Sequence, residues 1–395
     1  MWSGIYFLGG IMTNCIKTPT TKALTLLVMA GGTGGHIFPG LAVADKLKSE
    51  GWHIHWLGTA DRMEADIIPK HGYDISFINI SGLRHKNLMA WLKLPFKLVN
   101  SLLQAFSVIN RIKPDVVLGM GGYASAPGGL AAWLMRKPLI VHEQNAAAGL
   151  TNRLLARIAT KVCCAFPHAF KDNVTAEVVG NPLRASIGEQ VAYQAEHSIS
   201  KDDAKKSHNI LVVGGSLGAQ VLNQIVPISF TQLVKKPSSA KAQLPFKVCH
   251  QTGKGKKNEV IEAYNQSDLA SDHISVTEFI DDIASAYQWA DVVICRAGAL
   301  TVSELAMAAT PAIFVPLPHA VDDHQVKNAQ YLVSRGGAIL VKQNDLTSDG
   351  LTKLLGELFS EPQILKNMAQ SAFAAADINA TDKVASLCQK LAAKN

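Results

Sequence analysis

The chain has 395 residues, with 38 Lys and Arg against 31 Asp and Glu and a formal net charge of +7. That length suits two domains, each with its own core, and a content of 48% hydrophobic and 17% charged residues excludes disorder as the main state. No run reaches the roughly 18 to 20 apolar residues of a membrane-spanning helix. The six cysteines lack CxxC spacing, which speaks against a disulfide framework or a zinc site and suits a reducing cytosol.

Residues 1–22 read as a disordered leader. Their apolar stretch, MWSGIYFLGGI, has no basic segment ahead of it and is broken by Gly9 and Gly10, so a signal peptide is not expected and a start at Met12 is the simpler account. Structure is expected from residue 24, where LTLLVM runs into Ala30-Gly31-Gly32-Thr33-Gly34-Gly35-His36 and then the apolar-periodic stretch 41–47: strand, glycine loop, helix. Further strands are expected at 53–57, 75–80, 115–118, 139–142 and 178–179, with a second glycine loop at Gly119-Met120-Gly121-Gly122-Tyr123. Residues 75–114 contain no Asp or Glu; Lys93, Lys97 and Arg111 alternate there with Trp91, Phe96 and several leucines, and Pro95 is expected to open a helix. Such a segment is either a core-packed helix pair with a basic edge or a surface that docks on anionic lipid.

The opening grammar returns in the second half. Residues 210–213 lead into Gly214-Gly215-Ser216-Leu217-Gly218-Ala219 and a helical stretch at 220–225. Strands follow at 246–250, 274–277, 292–295, 312–315 and 338–341. The polar stretch 186–209 reads as the linker between a first domain, 23–185, and a second, 210–365, with a helical segment at 366–395. Residues 235–244 read as a solvated insertion. Short apolar strands alternating with helices give an α/β class: two doubly wound, Rossmann-like domains with parallel sheets, facing a cleft at the carboxyl ends of their strands.

A glycine loop between strand and helix is either a tight turn or a phosphate cradle, where backbone N–H groups and the helix dipole meet negative charge. Three such loops favour the cradle. None has Walker A spacing, and Leu57-Gly58-Thr59 stands where a dinucleotide site needs an acidic residue, so NAD is not expected. The Gly253-Lys254-Gly255-Lys256 stretch reads as a solvated basic loop. In Cys295-Arg296-Ala297-Gly298-Ala299-Leu300-Thr301-Val302-Ser303-Glu304-Leu305 a helix is expected from Leu300 or Thr301, whose amides would hold a diphosphate; Glu304 either caps that helix or grips ribose hydroxyls.

The segments AGGTGGHIFPGLAVA, GMGGYASAPGG, HEQNAAAGLTNRLLA, VGNPLR, GGSLGAQVLN, TEFIDD, CRAGALTVSE and DDHQVKNA, in that order, resemble those of the MurG-type N-acetylglucosaminyltransferases of peptidoglycan synthesis. The resemblance runs from residue 24 to the C-terminus. It implies the GT-B fold and an inverting transfer of N-acetylglucosamine from its uridine diphosphate carrier (UDP-GlcNAc) to the 4-hydroxyl of the muramyl sugar of lipid I, forming lipid II. It further implies a peripheral enzyme on the cytoplasmic face of the bacterial inner membrane, in contact with anionic lipid and open to other cell-wall synthesis proteins. Nucleic acid is not an expected partner, because the basic residues carry no binding motif for it.

For the donor, the resemblance implies Ser216 at the diphosphate, Ile280 at the uracil through its backbone, and Ala299, Leu300, Thr301, Val302, Ser303 and Glu304 around phosphate and ribose. Arg184 belongs near the domain junction, Gln325 at the sugar hydroxyls, and Thr33, Gly34, Gly35 and Asn145 on the first-domain side. His36, a residue type that exchanges protons near neutrality, is the candidate base, with Glu143 and Asn145 as fallback and His142 as structural. Helix amides suffice for the departing diphosphate, so neither a metal nor another cofactor is expected. Trp91, Lys93, Phe96 and Lys97 are the expected docking residues. One departure stands out: Leu217 occupies a position where the family usually has glutamine. Two rival readings are a nucleotide-sugar 2-epimerase of similar fold and a noncatalytic nucleotide-sugar-binding subunit.

Overall fold

The computed structural model describes residues 23–80, 94–171, 173–188, 207–235, 245–265, 273–318 and 323–394. The expected leader, Trp91, Lys93, linker residues 189–206 and insertion residues 236–244 lie outside the described residues.

In the first domain β1 (Thr25–Ala30), β2 (His53–Gly58), β3 (Asp74–Phe77), β4 (Val116–Gly121), β5 (Leu139–Glu143), β6 (Lys161–Cys164) and β7 (Glu177–Val178) form one sheet in the order β3-β2-β1-β4-β5-β6-β7. Every pairing is parallel. The connections include α1 (Gly34–Ser49), α2 (Met63–Lys70), α3 (Leu94–Ile112), α4 (Ser125–Leu134) and α5 (Leu150–Leu155). The second domain repeats the plan with β8 (His208–Val213), β9 (Phe246–Gln251), β10 (Ile274–Thr277), β11 (Val292–Cys295), β12 (Ala312–Phe314) and β13 (Ala338–Leu340) in the order β10-β9-β8-β11-β12-β13, again all parallel. Its helices include α6 (Gln220–Lys235), α7 (Lys257–Asn265), α8 (Ile283–Trp289), α9 (Ala299–Met307) and α10 (His324–Val333), followed by α11 (Ser348–Ser360), α12 (Pro362–Ala374) and α13 (Ala380–Ala392).

The central strands are apolar throughout because both sheet faces are covered. In β1, Leu26 and Val28 pack with Leu41, Val43 and Leu47 of α1, while Leu27 and Met29 face Ala105 and Ile109 of α3 and Ala131 of α4. The strand order reverses between β1 and β4, and again between β8 and β11. These are the topological switch points where open α/β sheets bind ligands, and the glycine loops follow those strands.

Two features differ from the sequence expectation. Strand β6 is not among the expected strands, because KVCC is a short run without flanking turn residues. The expected terminal helical segment is divided: α12 starts earlier, at Pro362, and packs on α9 and α11. The last helix, α13, instead places Val384, Ala385, Cys388 and Leu391 in the first domain's core, and its Asp382 pairs with Lys46 of α1 at 2.9 Å. The chain therefore crosses between domains a second time.

Each domain encloses one histidine completely, His142 and His250, both 0% exposed. His142 holds the Gly180 carbonyl through Nε2 at 2.9 Å and meets the Gln144 amide at Nδ1, and desolvation lowers it to about 4. His250 sits between Asn223 Oδ1 and the Tyr264 hydroxyl and is lowered by burial to about 3. Unfolded histidine titrates at about 6.5, so below that pH the unfolded chain binds protons that the native one refuses. Stability is then lost as the pH falls from about 6.5 toward the native values, with about 4 kcal/mol expected to go between pH 7 and pH 5. Urea midpoints across that range are the check; His250→Gln is expected to remove about half of the slope, and an unchanged slope contradicts the assignment.

Candidate active site

Thr33 opens α1 with an extended backbone, and its carbonyl accepts the His36 and Ile37 N–H groups at 3.1 and 3.3 Å. Gly34, Gly35 and His36 thus form the first turn, earlier than the helical stretch legible in the sequence. Glu64 of α2 braces this loop from below. Its buried carboxylate accepts the N–H groups of Gly32 (2.9 Å) and Thr59 (3.0 Å) and the Thr59 hydroxyl (2.7 Å). The loop after β4 lies directly against it: a Cβ on Gly122 would stand 2.5 Å from the Gly31 carbonyl oxygen, and one on Gly121 would stand 3.1 Å from the His36 ring. His36 Nδ1 is 3.1 Å from the Gly31 carbonyl oxygen. A carbonyl only accepts, so in the neutral ring Nδ1 is the nitrogen that carries the proton and Nε2 the one with the lone pair.

At the end of β5, Glu143 is buried. Its Oε1 accepts the backbone and side-chain N–H groups of Asn145 (2.9 and 3.1 Å), and its Oε2 those of Gly149 and the Asn152 amide (3.0 and 2.9 Å). With four donors on its carboxylate, Glu143 organises the 143–149 turn, and His36 is the neighbouring group with a lone pair to spare.

In the second domain, Gln251 holds Gly215 from both sides: its Oε1 accepts the Gly215 N–H at 2.9 Å and its Nε2 reaches the Gly215 carbonyl at 3.0 Å. Ser216 stands exposed at the crest of this loop, and Leu217 beside it is 86% exposed. The 253–256 stretch is more than a solvated basic loop. Gly253 packs on Gly218 backbone to backbone, and the Lys256 stem lies 3.2 Å from where a Gly218 Cβ would be. After β11, Gly298 caps α9, and the amides of Ala299, Leu300 and Thr301 open the helix, where N–H groups have no partner within it. Glu304 lies in the next turn and caps nothing. It is buried, with Oε2 accepting the Tyr287 hydroxyl at 3.1 Å and Oε1 facing Arg184 Nη2 at 3.3 Å. Burial pushes its carboxyl up, opposed first by the Arg184 charge.

The two halves meet through the segment after β7. Arg184 stacks 4.7 Å over the Phe38 ring of α1 while pairing with Glu304 of α9. The Asn181 amide reaches the Gln144 carbonyl at 3.2 Å and the Ser303 hydroxyl at 3.0 Å. One arginine therefore spans from α1, the helix that carries His36, to the Glu304 carboxylate of α9.

Residues 26–164 match the N-terminal domain of glycosyltransferase family 28, and residues 209–384 match the family's C-terminal domain. The chain belongs to glycosyltransferase family 28. Within it, the chain is similar to the UDP-N-acetylglucosamine–N-acetylmuramyl-(pentapeptide) pyrophosphoryl-undecaprenol N-acetylglucosamine transferase of Colwellia psychrerythraea, with 64% identity over 373 residues covering 94% of both proteins. The protein of that name from Aeromonas hydrophila is 54% identical over 368 residues, covering 93% of this chain and 97% of its own length. Among solved structures, MurG of Acinetobacter baumannii superimposes with a TM-score of 0.75 at 38% identity, covering 93% of this chain and 99% of that one. The GT-B fold expected from the family resemblance is thus the fold observed. A UDP-GlcNAc 2-epimerase from Neisseria meningitidis has a TM-score of 0.63 at 13% identity and shares the fold alone.

For this family 28 chain, the structure gathers Thr33, Gly34, Gly35, His36, Asn145 and Arg184 on one side of the domain junction. On the other stand Ser216, the half-buried Ile280 beyond β10, and α9 with Ala299, Leu300, Thr301, Ser303 and Glu304. Val302 is different: its side chain lies in the core and its N–H is bonded to the Gly298 carbonyl at 2.9 Å, so its part is to seat the helix. Gln325 spends its carbonyl on the Leu317 N–H at 2.9 Å. The sequence reading missed Glu64, Gln251, Asn181 and Asn328, polar residues whose partners are remote in sequence; a glutamate early in a short helix reads as a cap.

Phe96 and Lys97 are exposed on α3, Phe96 by 78%. Trp133 and Leu134 of α4, and Leu150 and Leu154 of α5, are also exposed on helices packed in series with α3; short helices of this composition read as core. Among the described residues no helix is long and apolar enough to cross a membrane. One group of described residues has metal-ligand spacing, His53, His55 and Asp74. It lies at the amino ends of β2 and β3, away from the glycine loops, and Arg111 beside it, bonded to Ser76, opposes a cation.

Proposed function

We propose that this chain transfers N-acetylglucosamine from UDP-GlcNAc to the 4-hydroxyl of the muramyl sugar of lipid I, with inversion, to form lipid II. Membership of family 28 and likeness to the transferases named above support the donor and acceptor. The observation that carries the mechanism is the Arg184 bridge, because it links α1, which carries His36, to Glu304 of α9, the helix whose first amides have no partner within it. His36 Nε2 takes the proton of the acceptor hydroxyl as its oxygen attacks the anomeric carbon. The bond from that carbon to the diphosphate breaks, and the leaving charge is met by the α9 amides and the Ser216 loop. Glu304 accepts from the two ribose hydroxyls, Gln325 turns its amide donors to the sugar, and the Ile280 backbone meets the uracil.

The enzyme acts from the cytoplasmic face of the inner membrane. Its docking face is α3 with Phe96, Lys97, Val99 and Leu103, extended by Trp133, and anionic lipid is its partner there. The test is transfer of labelled N-acetylglucosamine by the purified chain, with a short-chain lipid I analogue as acceptor and, in parallel, sedimentation with anionic vesicles. A new disaccharide product supports the reading; epimerised donor without acceptor, or bound donor without transfer, overturns it. Phe96→Asp with Leu103→Asp is expected to weaken vesicle binding about tenfold or more, as two large apolar contacts are lost, and to leave transfer to the short-chain acceptor intact. Unchanged vesicle binding rejects the docking face.

A further inference from the structure

Asn328 belongs to α10 of the second domain, yet it is 0% exposed because it is enclosed between the domains. Its Oδ1 accepts the Ala146 N–H at 2.7 Å; its Nδ2 donates to the Ala297 carbonyl at 3.2 Å and faces Asn145 Oδ1 at 3.4 Å. Asn145 and Ala146 lie in the first-domain turn after β5, and Ala297 lies in the second-domain loop that turns β11 into α9. A single side chain thus ties the turn that carries Asn145 to the loop that starts the phosphate-facing helix. It also settles the Asn145 amide. Glu143 takes the donor end of that amide at 3.1 Å and Asn328 meets the acceptor end, which leaves one orientation, since an amide offers donors at one end only.

We propose that Asn328 is a positioning residue for transfer: it clasps the two domains at the donor site and orients Asn145 toward the donor sugar. The inference rests on the reading of Asn145 as a donor-sugar contact. On the proposed function, uracil, ribose and diphosphate meet Ile280, Glu304, Ser216 and the α9 amides, all in the second domain, so loss of the clasp is expected to slow transfer more than it weakens UDP binding. Among substitutions, Asp keeps the shape and the acceptor for Ala146 but turns an acceptor toward Asn145 Oδ1 and the Ala297 carbonyl, whereas Ala removes all three bonds.

The experiment uses the full chain. It compares Asn328→Asp, Asn328→Ala, Asn145→Ala and the Asn145→Ala/Asn328→Ala pair, reading kcat and donor KM with a short-chain lipid I analogue and UDP affinity by calorimetry. Both Asn328 variants are expected to lower kcat about 100-fold, as for a misplaced reacting group, with UDP affinity unchanged. The pair is expected to be no slower than its slower member, because the two residues act as one unit. Losses that track UDP affinity, or that multiply in the pair, overturn the positioning role. If Asn145→Ala loses activity and Asn328→Asp does not, the proposal alone fails; full activity in Asn145→Ala removes the donor-sugar reading beneath it. Asn328→Asp keeps the test valid should Asn328→Ala fold poorly.

Discussion

His36→Ala is expected to lower kcat for transfer by about 100- to 10,000-fold, the range for loss of a positioned general base, while UDP affinity stays the same. The ring is held by the bond from Nδ1 to the Gly31 carbonyl, and it lies close to Gly121, where an added Cβ would stand 3.1 Å from it. This sets the neutral tautomer with Nε2 as acceptor, and the fallback base, Glu143, already accepts four hydrogen bonds. His36→Asn is an informative companion: its amide N–H restores the bond to Gly31 but offers no base, so it should be as slow as alanine. Steady-state rates with the short-chain acceptor decide the matter. A loss of less than tenfold in both variants removes His36 from the role of base.

Gly218→Ala is expected to abolish donor binding and lower the melting temperature by several degrees. At φ +71, an alanine Cβ would stand 2.1 Å from the Thr252 carbonyl oxygen, and Gly218 is itself packed on the backbone of Gly253. Backbone on both sides cannot yield as a side-chain tip would. The left-handed conformation costs about 1–2 kcal/mol for a residue with a Cβ, and the overlap must add displacement of the whole loop that carries Ser216. Gly215→Ala is the control, because Gly215 has φ +80 but nothing within 4 Å of an added Cβ. It should pay the conformational cost alone and keep most UDP affinity. Calorimetric UDP titrations and thermal melts of both variants test this, and equal behaviour of the two refutes the overlap argument.

The sequence by itself determined the elements and the loops. Apolar strand runs such as TLLVMA and glycine-rich turns are local patterns: each is set by burial on both faces of a strand or by a turn that tolerates no side chain. Thus most strands, the position of the glycine loops and the placement of His36, Ser216 and Glu304 near strand ends were legible. Boundaries were less so, because α1 takes the glycines into its own first turn and β6 is too short to register as a pattern. What only the tertiary structure decided was which groups meet. Asn328 and Ala146 are 182 residues apart, and Arg184 and Glu304 are 120 apart; no local period links such positions. The return of α13 to the first domain's core is equally invisible, since an amphipathic helix carries the same apolar stripe whichever sheet it covers. The roles of Glu64, Arg184 and Asn328 follow from hydrogen bonds closed across the fold, and a hydrogen bond depends on where the chain's path brings donor and acceptor.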